Sequence, residues 1–330
     1  MAKSVFQRFR PSAKEFTDSG FSNQVGSQGN RLLKEDGTFN IKRTGRHYLQ
    51  QLSIAHELIT MPWVTFLLIV NGFYIITNLL FAAVYYLIGM DQFMGMNGVS
   101  EWDQFKEAFF FSAQTITTVG YGRINPMGLL PNLIASFEAL LGLMFFAIIT
   151  GLIYGRFSRP VARLIFSDKG LISPYKDNTA FMFRVANSKT NDMAEVEAQV
   201  LLGLVLFEEG KFIRRYYGLD LERKSVNALA LTWTVVHPID EKSPIYNLTP
   251  QMMEEHEAEF LVSIKGVDTT FSQTVYSRHS YHFTDVVWNA KFKPGFKRSE
   301  NGRQTIIELD QLSDFDVLEP KTESVHEKTV

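Results

Sequence analysis

The sequence predicts a membrane protein of two parts: a helical domain that crosses the bilayer twice around a re-entrant half-helix, and an all-β sandwich that follows it. Three observations carry this. Two long stretches are almost free of charge, since Met61 to Met90 has no charged residue and Pro126 to Gly155 has only Glu138. Between them lies a half-length apolar segment that ends in a glycine-rich string. From about Ser167 onward the pattern becomes short alternating runs broken by turn residues. Whole-chain averages hide the partition: 45% hydrophobic residues, a net charge of -2 and a mean hydropathy near zero fit many soluble proteins.

Residues 1–40, rich in Ser, Gly, Gln and Asn, read as a poorly ordered terminus with no signal peptide. Over residues 41–60 a helix is expected along the inner membrane surface, because Leu49, Leu52, Ala55 and Ile59 recur at helical spacing beside Gln50, Gln51, His56 and Glu57. Pro62 suits the entry into a first span over about 62–90, since proline is tolerated in a first helical turn but breaks an interior. A second span follows over about 130–156. Both exceed the roughly 20 apolar residues that cross a bilayer. Basic residues precede the first span (Arg31, Lys34, Lys42, Arg43, Arg46) and follow the second (Arg156, Arg159, Arg163), whereas the connecting loop carries Asp91, Glu101 and Asp103. That asymmetry predicts a multi-pass inner-membrane (plasma-membrane) protein with both termini cytoplasmic.

Residues 102–117, WDQFKEAFFFSAQTIT, are too short to cross but long enough to enter the membrane and stop. They read as a pore helix whose carboxyl end favours a cation. Thr118-Val119-Gly120-Tyr121-Gly122 then reads as a potassium selectivity filter, in which rings of backbone carbonyls from four chains replace the hydration shell of K+. Homotetramerisation is part of that reading, with K+ at the filter carbonyls as permeant ion.

The β region spans residues 158–320, with a disordered tail at 321–330. Its strands are expected at Thr179–Ala186, Glu195–Leu202, Leu229–Val236 and Phe260–Ile264, with turns at Glu209-Gly210, His237-Pro238, Ser243-Pro244 and Lys265-Gly266. Thr249 is expected to cap one short helix that begins Thr-Pro-Gln-Met. No cysteine is present, and HExxH, GxxxxGK[ST] and GxSxG strings are absent, so the sequence points to no enzyme, no catalytic cofactor and no nucleic-acid partner. His56, His237 and His279 can titrate near neutrality, although packing or turn roles serve equally.

Beyond residue 40 the chain resembles an inward-rectifier potassium channel of the prokaryotic type. The motifs are Ala108-Phe-Phe-Phe-Ser112, the filter, Thr150-Gly-Leu-Ile-Tyr-Gly-Arg-Phe-Ser-Arg-Pro160, Phe181-Met-Phe-Arg-Val-Ala-Asn187, Val236 to Leu248, Ser277 to Tyr281 and Asp285-Val-Val-Trp288. The resemblance implies a tetramer with an immunoglobulin-like cytoplasmic domain. It also implies that Phe146, Thr150 and Tyr154 line the pore. Phe146 stands where strongly rectifying members carry an acid, so rectification is expected to be weak, and Tyr154 is the candidate inner constriction. Gly142 and Gly151 serve either as bending points or as close-approach positions.

Glu138, mid-span, has two readings: a carboxylate near the cavity that attracts cations, or a group hydrogen-bonded to the pore helix, with Asn71 and Asn78 as candidate partners. Arg156, Arg159 and Arg163, with Arg43 and Arg46, are expected to contact anionic lipid headgroups or else only to set topology. Two departures from the family pattern stand at the filter. Arg123 replaces the usual Asp after it and Gln114 replaces the usual acid behind it, which predicts a missing charge pair. A Gly-Tyr-Gly-Arg ending is also similar to that of weakly selective pacemaker channels, so a poorly selective cation channel stays open, as does a membrane-anchored binding module.

Overall fold

The computed structural model describes residues 31–34, 37–41, 53–159, 164–188, 192–208, 210–301 and 303–319. They fall into two compact units, one within residues 44–159 and one that joins the segment before residue 44 to everything after Arg159.

The helical unit contains α1 (Ile54–Thr60), α2 (Trp63–Ile88), α3 (Glu101–Ile116) and α4 (Leu129–Phe157). Pro62 stands at the N-cap of α2 with φ -55°, where its missing N–H costs nothing. At 26 and 29 residues, α2 and α4 are about 39 and 43 Å long, enough to cross a hydrocarbon core of about 30 Å. Only four side chains of α2 and three of α4 are buried within the chain. So much exposed apolar helix needs lipid or further subunits around it. The small core is aromatic: Tyr85 meets Phe93 and Phe111 edge-on at 5.4 and 5.1 Å. Strands β1 (Phe93–Met94) and β2 (Asn125–Pro126) pair antiparallel and tie the loop after the filter string to the end of α2. Of the expected surface helix at 41–60, Ile54–Thr60 is helical, while residues 42–52 lie outside the described residues.

The second unit is a sandwich of two five-stranded sheets. One has β6 (Met193–Glu208) between β10 (Glu259–Asp268) and β7 (Lys211–Leu219), with β11 (Gln273–His282) beyond β10 and β8 (Ser225–Ala228) also on β6. The other has β5 (Asn178–Asn187) at its centre, flanked by β4 (Gly170–Tyr175), β3 (Leu164–Phe166) and β9 (Thr232–Ile239), with β12 (Val286–Trp288) parallel to β4. Strand period two sorts the side chains: Phe181, Phe183 and Val185 enter the core between the sheets, and Phe181 stacks on Phe260 at 4.0 Å. Ala180 and Met182 face the opposite side, where β13 (Ala290–Phe292), paired with β16 (Phe315–Val317), covers them. A last hairpin joins β14 (Phe296–Arg298) to β15 (Thr305–Ile307). Thr249 caps α5 (Pro250–Glu255), its hydroxyl accepting from the Met252 N–H at 3.2 Å.

Three expectations are corrected here. His237-Pro238 is not a turn but lies inside β9, which has β5 as its one sheet neighbour among the described residues; proline's missing N–H is tolerated on such an edge. Lys265-Gly266 is a bulge inside β10, and a Cβ on Gly266 would come within 2.8 Å of Met193. The terminus before residue 41 is not wholly unstructured. Leu32 and Leu33 are buried against Tyr216 and Leu261, Leu33 bridges Phe39, and the Leu32 N–H donates to the Glu259 carboxylate, itself 2.9 Å from Arg214. Two buried leucines and a shared carboxylate outweigh the polar composition of that segment.

Candidate ion-conduction site

The site is built from the carboxyl end of α3 outward. Ser100 caps α3 by accepting from the Asp103 N–H at 3.2 Å, and Glu101 and Asp103 in the first turn suit its positive end. The helix ends at Ile116, one residue earlier than the expected boundary, with Thr117 as its C-cap. The N–H groups of Val119 and Gly120 donate back to the Gln114 carbonyl at 2.9 and 3.3 Å, turning the chain out of the helix.

Thr118, Gly120 and Gly122 take φ of +58°, +52° and +82°, while Val119 and Tyr121 between them do not enter that region. A strand that alternates the sign of φ turns successive peptide planes alike and lines up its carbonyls along one edge. Glycine reaches positive φ without penalty, but Thr118 is β-branched, and holding it there costs about 1–3 kcal/mol. Among the described residues nothing donates to the carbonyls of Thr118 to Tyr121, whereas the Gly122 carbonyl accepts from the Asn125 amide at 2.9 Å. Within one chain the carbonyls of Thr118 to Tyr121 are thus without a donor among the described residues. Val119 and Tyr121 are exposed on the single chain.

The expected absence of a charge pair at the filter is overturned. Arg123 reaches Glu107 of α3 at 3.0 Å, and the same carboxylate accepts from the N–H groups of Asn97 and Gly98 at 2.8 and 3.2 Å. Gln114 is not an acid, but Glu107 lies two turns earlier on the same helix and takes up the arginine. Sequence reading missed Glu107; its signal was an acid in the pore-helix segment opposite a base just past the filter.

Glu138 is fully buried and does not face an open cavity. The Tyr85 hydroxyl of α2 donates to it at 2.5 Å, and Ser112 of α3 is hydrogen-bonded to its other oxygen. Ser112 Oγ also lies 2.9 Å from Asn78 Oδ1, and the Asn78 amide donates to the Tyr74 carbonyl at 2.7 Å. Ser112 has one proton and faces two acceptors, so the chain closes fully when the carboxyl carries a proton toward Ser112. Of the two readings of Glu138, the bond to the pore helix is the one observed. Asn71 is not a partner: it is exposed and donates to its own Leu67 carbonyl.

Gly142 meets the end of α3, where an added Cβ would come within 1.9 Å of the Ile116 carbonyl. The position therefore has a packing reason, and α4 runs unbroken through it; Gly151 has open space. Phe146, Thr150 and Tyr154 lie within about 80° of one another around the helix. Phe146 and Tyr154 are 70% and 73% exposed, while neighbouring Phe145 stacks on Phe73 of α2 at 4.6 Å. The chain's own packing leaves that stripe uncovered.

The basic cluster divides. Arg156 is not free for headgroups: its guanidinium donates to the carbonyls of Leu58 and Met61 at 2.5 and 2.6 Å and lies over the rings of Trp63 and Phe66. It caps the end of α1 and ties it to α4. Arg159 is exposed, and Arg43, Arg46 and Arg163 lie outside the described residues.

Residues 164–329 match the family described as inward rectifier potassium channel C-terminal domain, and residues 64–159 match the ion channel family. The inward rectifier potassium channel Kirbac3.1 of Paramagnetospirillum magnetotacticum is 36% identical over 278 residues, covering 84% of this chain and 92% of that protein. G protein-activated inward rectifier potassium channel 4 of Mus musculus and that of Rattus norvegicus are each 29% identical over 282 residues, covering 77% of this chain and 64% of theirs. A two-span unit with a half-helix and filter string, a β sandwich after it in sequence, and matches over both parts lead to one conclusion: this chain belongs to the inward rectifier potassium channel family, in its prokaryotic type.

Proposed function

We propose that four copies of this chain surround a common axis and conduct K+ passively through the ladder from Thr118 to Gly122. The observation that carries the reading is the alternation of φ at Thr118, Gly120 and Gly122 at the end of a capped half-helix. The exposed stripe of Phe146, Thr150 and Tyr154 lines the inner path, with Tyr154 as the closing constriction and Gly151 as the bending point. An apolar ring at Phe146 offers no charge to internal polyvalent cations, so rectification is weak. The channel sits in the inner (plasma) membrane with both termini in the cytoplasm, in keeping with the basic flanks of both spans. Arg159, with Arg163, Arg43 and Arg46, contacts anionic lipid headgroups that modulate opening. Because Arg123 is paired with Glu107, its repulsion of cations is reduced, which favours a selective pore over a poorly selective one.

The test is flux through purified protein in liposomes under opposed K+ and Na+ gradients. The reversal potential is expected to follow K+. A potential that tracks both ions would move the assignment to a poorly selective cation channel, and the absence of barium-sensitive flux to a membrane-anchored binding module.

A further inference from the structure

The sheet of β12, β4, β5 and β9 has a cavity of about 630 Å3 on its outer face, lined also by β13. That volume lies in the range of small-molecule sites, roughly 300–1,000 Å3. Its floor follows from strand alternation. Phe183 and Val185 face the core, so Arg184 between them faces outward with Met182, beside Thr234 and Val236 of β9. Phe292 covers one side, its ring centroid 4.7 Å from the Arg184 guanidinium carbon. Lys291 and Arg223 are exposed at the rim. Glu222, the one acid in the lining, is already engaged by Lys176 and Tyr175.

Arg184 is only 9% exposed, yet its Nε and Nη1 are buried without a hydrogen-bond partner, and no carboxylate among the described residues pairs with it. Burial without a counter-charge holds its guanidinium below the usual arginine range. Arg214, the other buried arginine among the described residues, shows the ordinary solution, an ion pair with Glu259 at 2.9 Å. An uncompensated buried charge is costly, and one that opens into a cavity with a basic rim is matched by an anion from outside.

We infer that this cavity binds a small oxyanion-bearing molecule, a phosphate ester or carboxylic acid, with its charged group on Arg184 and its apolar part along Phe292 and Met182. The inference stands independently of ion conduction. Isothermal titration of the full-length protein in detergent, at constant ionic strength with chloride as reference, tests it with two probes. Phenyl phosphate is expected to bind once per chain, and about tenfold more tightly than inorganic phosphate because its ring is buried. Lys291→Gln at the rim should weaken binding about threefold, and Arg184→Met should abolish it. Arg184→Met removes an unpaired charge, so its melting temperature should be no lower than that of the unaltered protein. If that variant fails to fold, Lys291→Gln and Arg223→Gln carry the comparison. No binding of either probe at concentrations on the order of 10 mM, or binding that none of the variants changes, would overturn the proposal.

Discussion

Glu138 illustrates how a single residue changes meaning once its partners are known. From sequence, an acid in the middle of a span attracts attention as a charge beside the ion path. In the fold it is shared between Tyr85 of α2 and Ser112 of α3, with Asn78 one bond further on, so that one carboxyl joins three helices. Removing such a group leaves donors and acceptors unpaired in a dry setting, at a cost of about 1–3 kcal/mol. Glu138→Ala is therefore expected to lower the melting temperature of the assembled channel by several degrees, read as loss of the intact peak after heating. Glu138→Gln keeps both an acceptor and a donor, so it should lose much less stability and leave K+ flux near its original level. A glutamine variant of normal stability but strongly reduced flux would restore the cavity-charge reading. Neither Tyr85 nor Ser112 announced itself in the sequence, because a hydroxyl in an aromatic run gives no sign of which neighbour it meets.

At the scale of elements, what was legible followed from length and period. Two stretches almost free of charge marked α2 and α4 to within two residues of the expected ends, and alternation marked β5 and β10. Misreadings arose where a turn-forming pair lay inside a strand: Pro238 sits on an edge and Gly266 on a bulge, both settled by neighbours distant in sequence. Gly142 and Gly151 make the same point within α4, since as residues they are identical and only the fold separates them. A methyl group at Gly142 collides with the Ile116 carbonyl at 1.9 Å, which forces α4 away from the end of α3. Overpacking of this kind costs about 1–3 kcal/mol, and Gly142→Ala should reduce both yield of assembled channel and its thermal stability. Gly151→Ala meets nothing within 4 Å and raises helix propensity by about 1 kcal/mol. It should assemble normally, and with Gly151 as the bending point its K+ flux should fall. Unchanged flux with intact assembly would remove Gly151 from the gating mechanism.

For the whole molecule, acid is the condition under which the β sandwich is expected to weaken, because His237 and His279 are packed in it as neutral rings. His279 stacks on Phe166 at 4.9 Å and meets Tyr281 edge-on at 4.7 Å. Burial, reinforced by the positive charge of Arg31 and opposed by Asp168, pushes its pKa down to about 4. His237 is held from both sides, 2.6 Å from the Asp220 carbonyl and 2.7 Å from Ser243 Oγ, and burial lowers it too. The hydroxyl of Ser243 donates to Nε2 when Nδ1–H donates to Asp220, an arrangement that only the neutral ring completes. The sign follows from proton counting. Between about pH 4 and 6.5 the unfolded chain binds a proton at His279 that the folded chain does not, so stability falls as pH drops through that window and is unaffected by this group above it. The loss from His279 alone is on the order of 3 kcal/mol by pH 4, with His237 acting in the same direction. His279→Phe keeps the ring stack and removes the titration. Thermal melts between pH 7.5 and 4.5 should therefore show a shallower decline for that variant while the two proteins melt alike near pH 7.5. Parallel declines would mean that groups other than His279 carry the acid sensitivity.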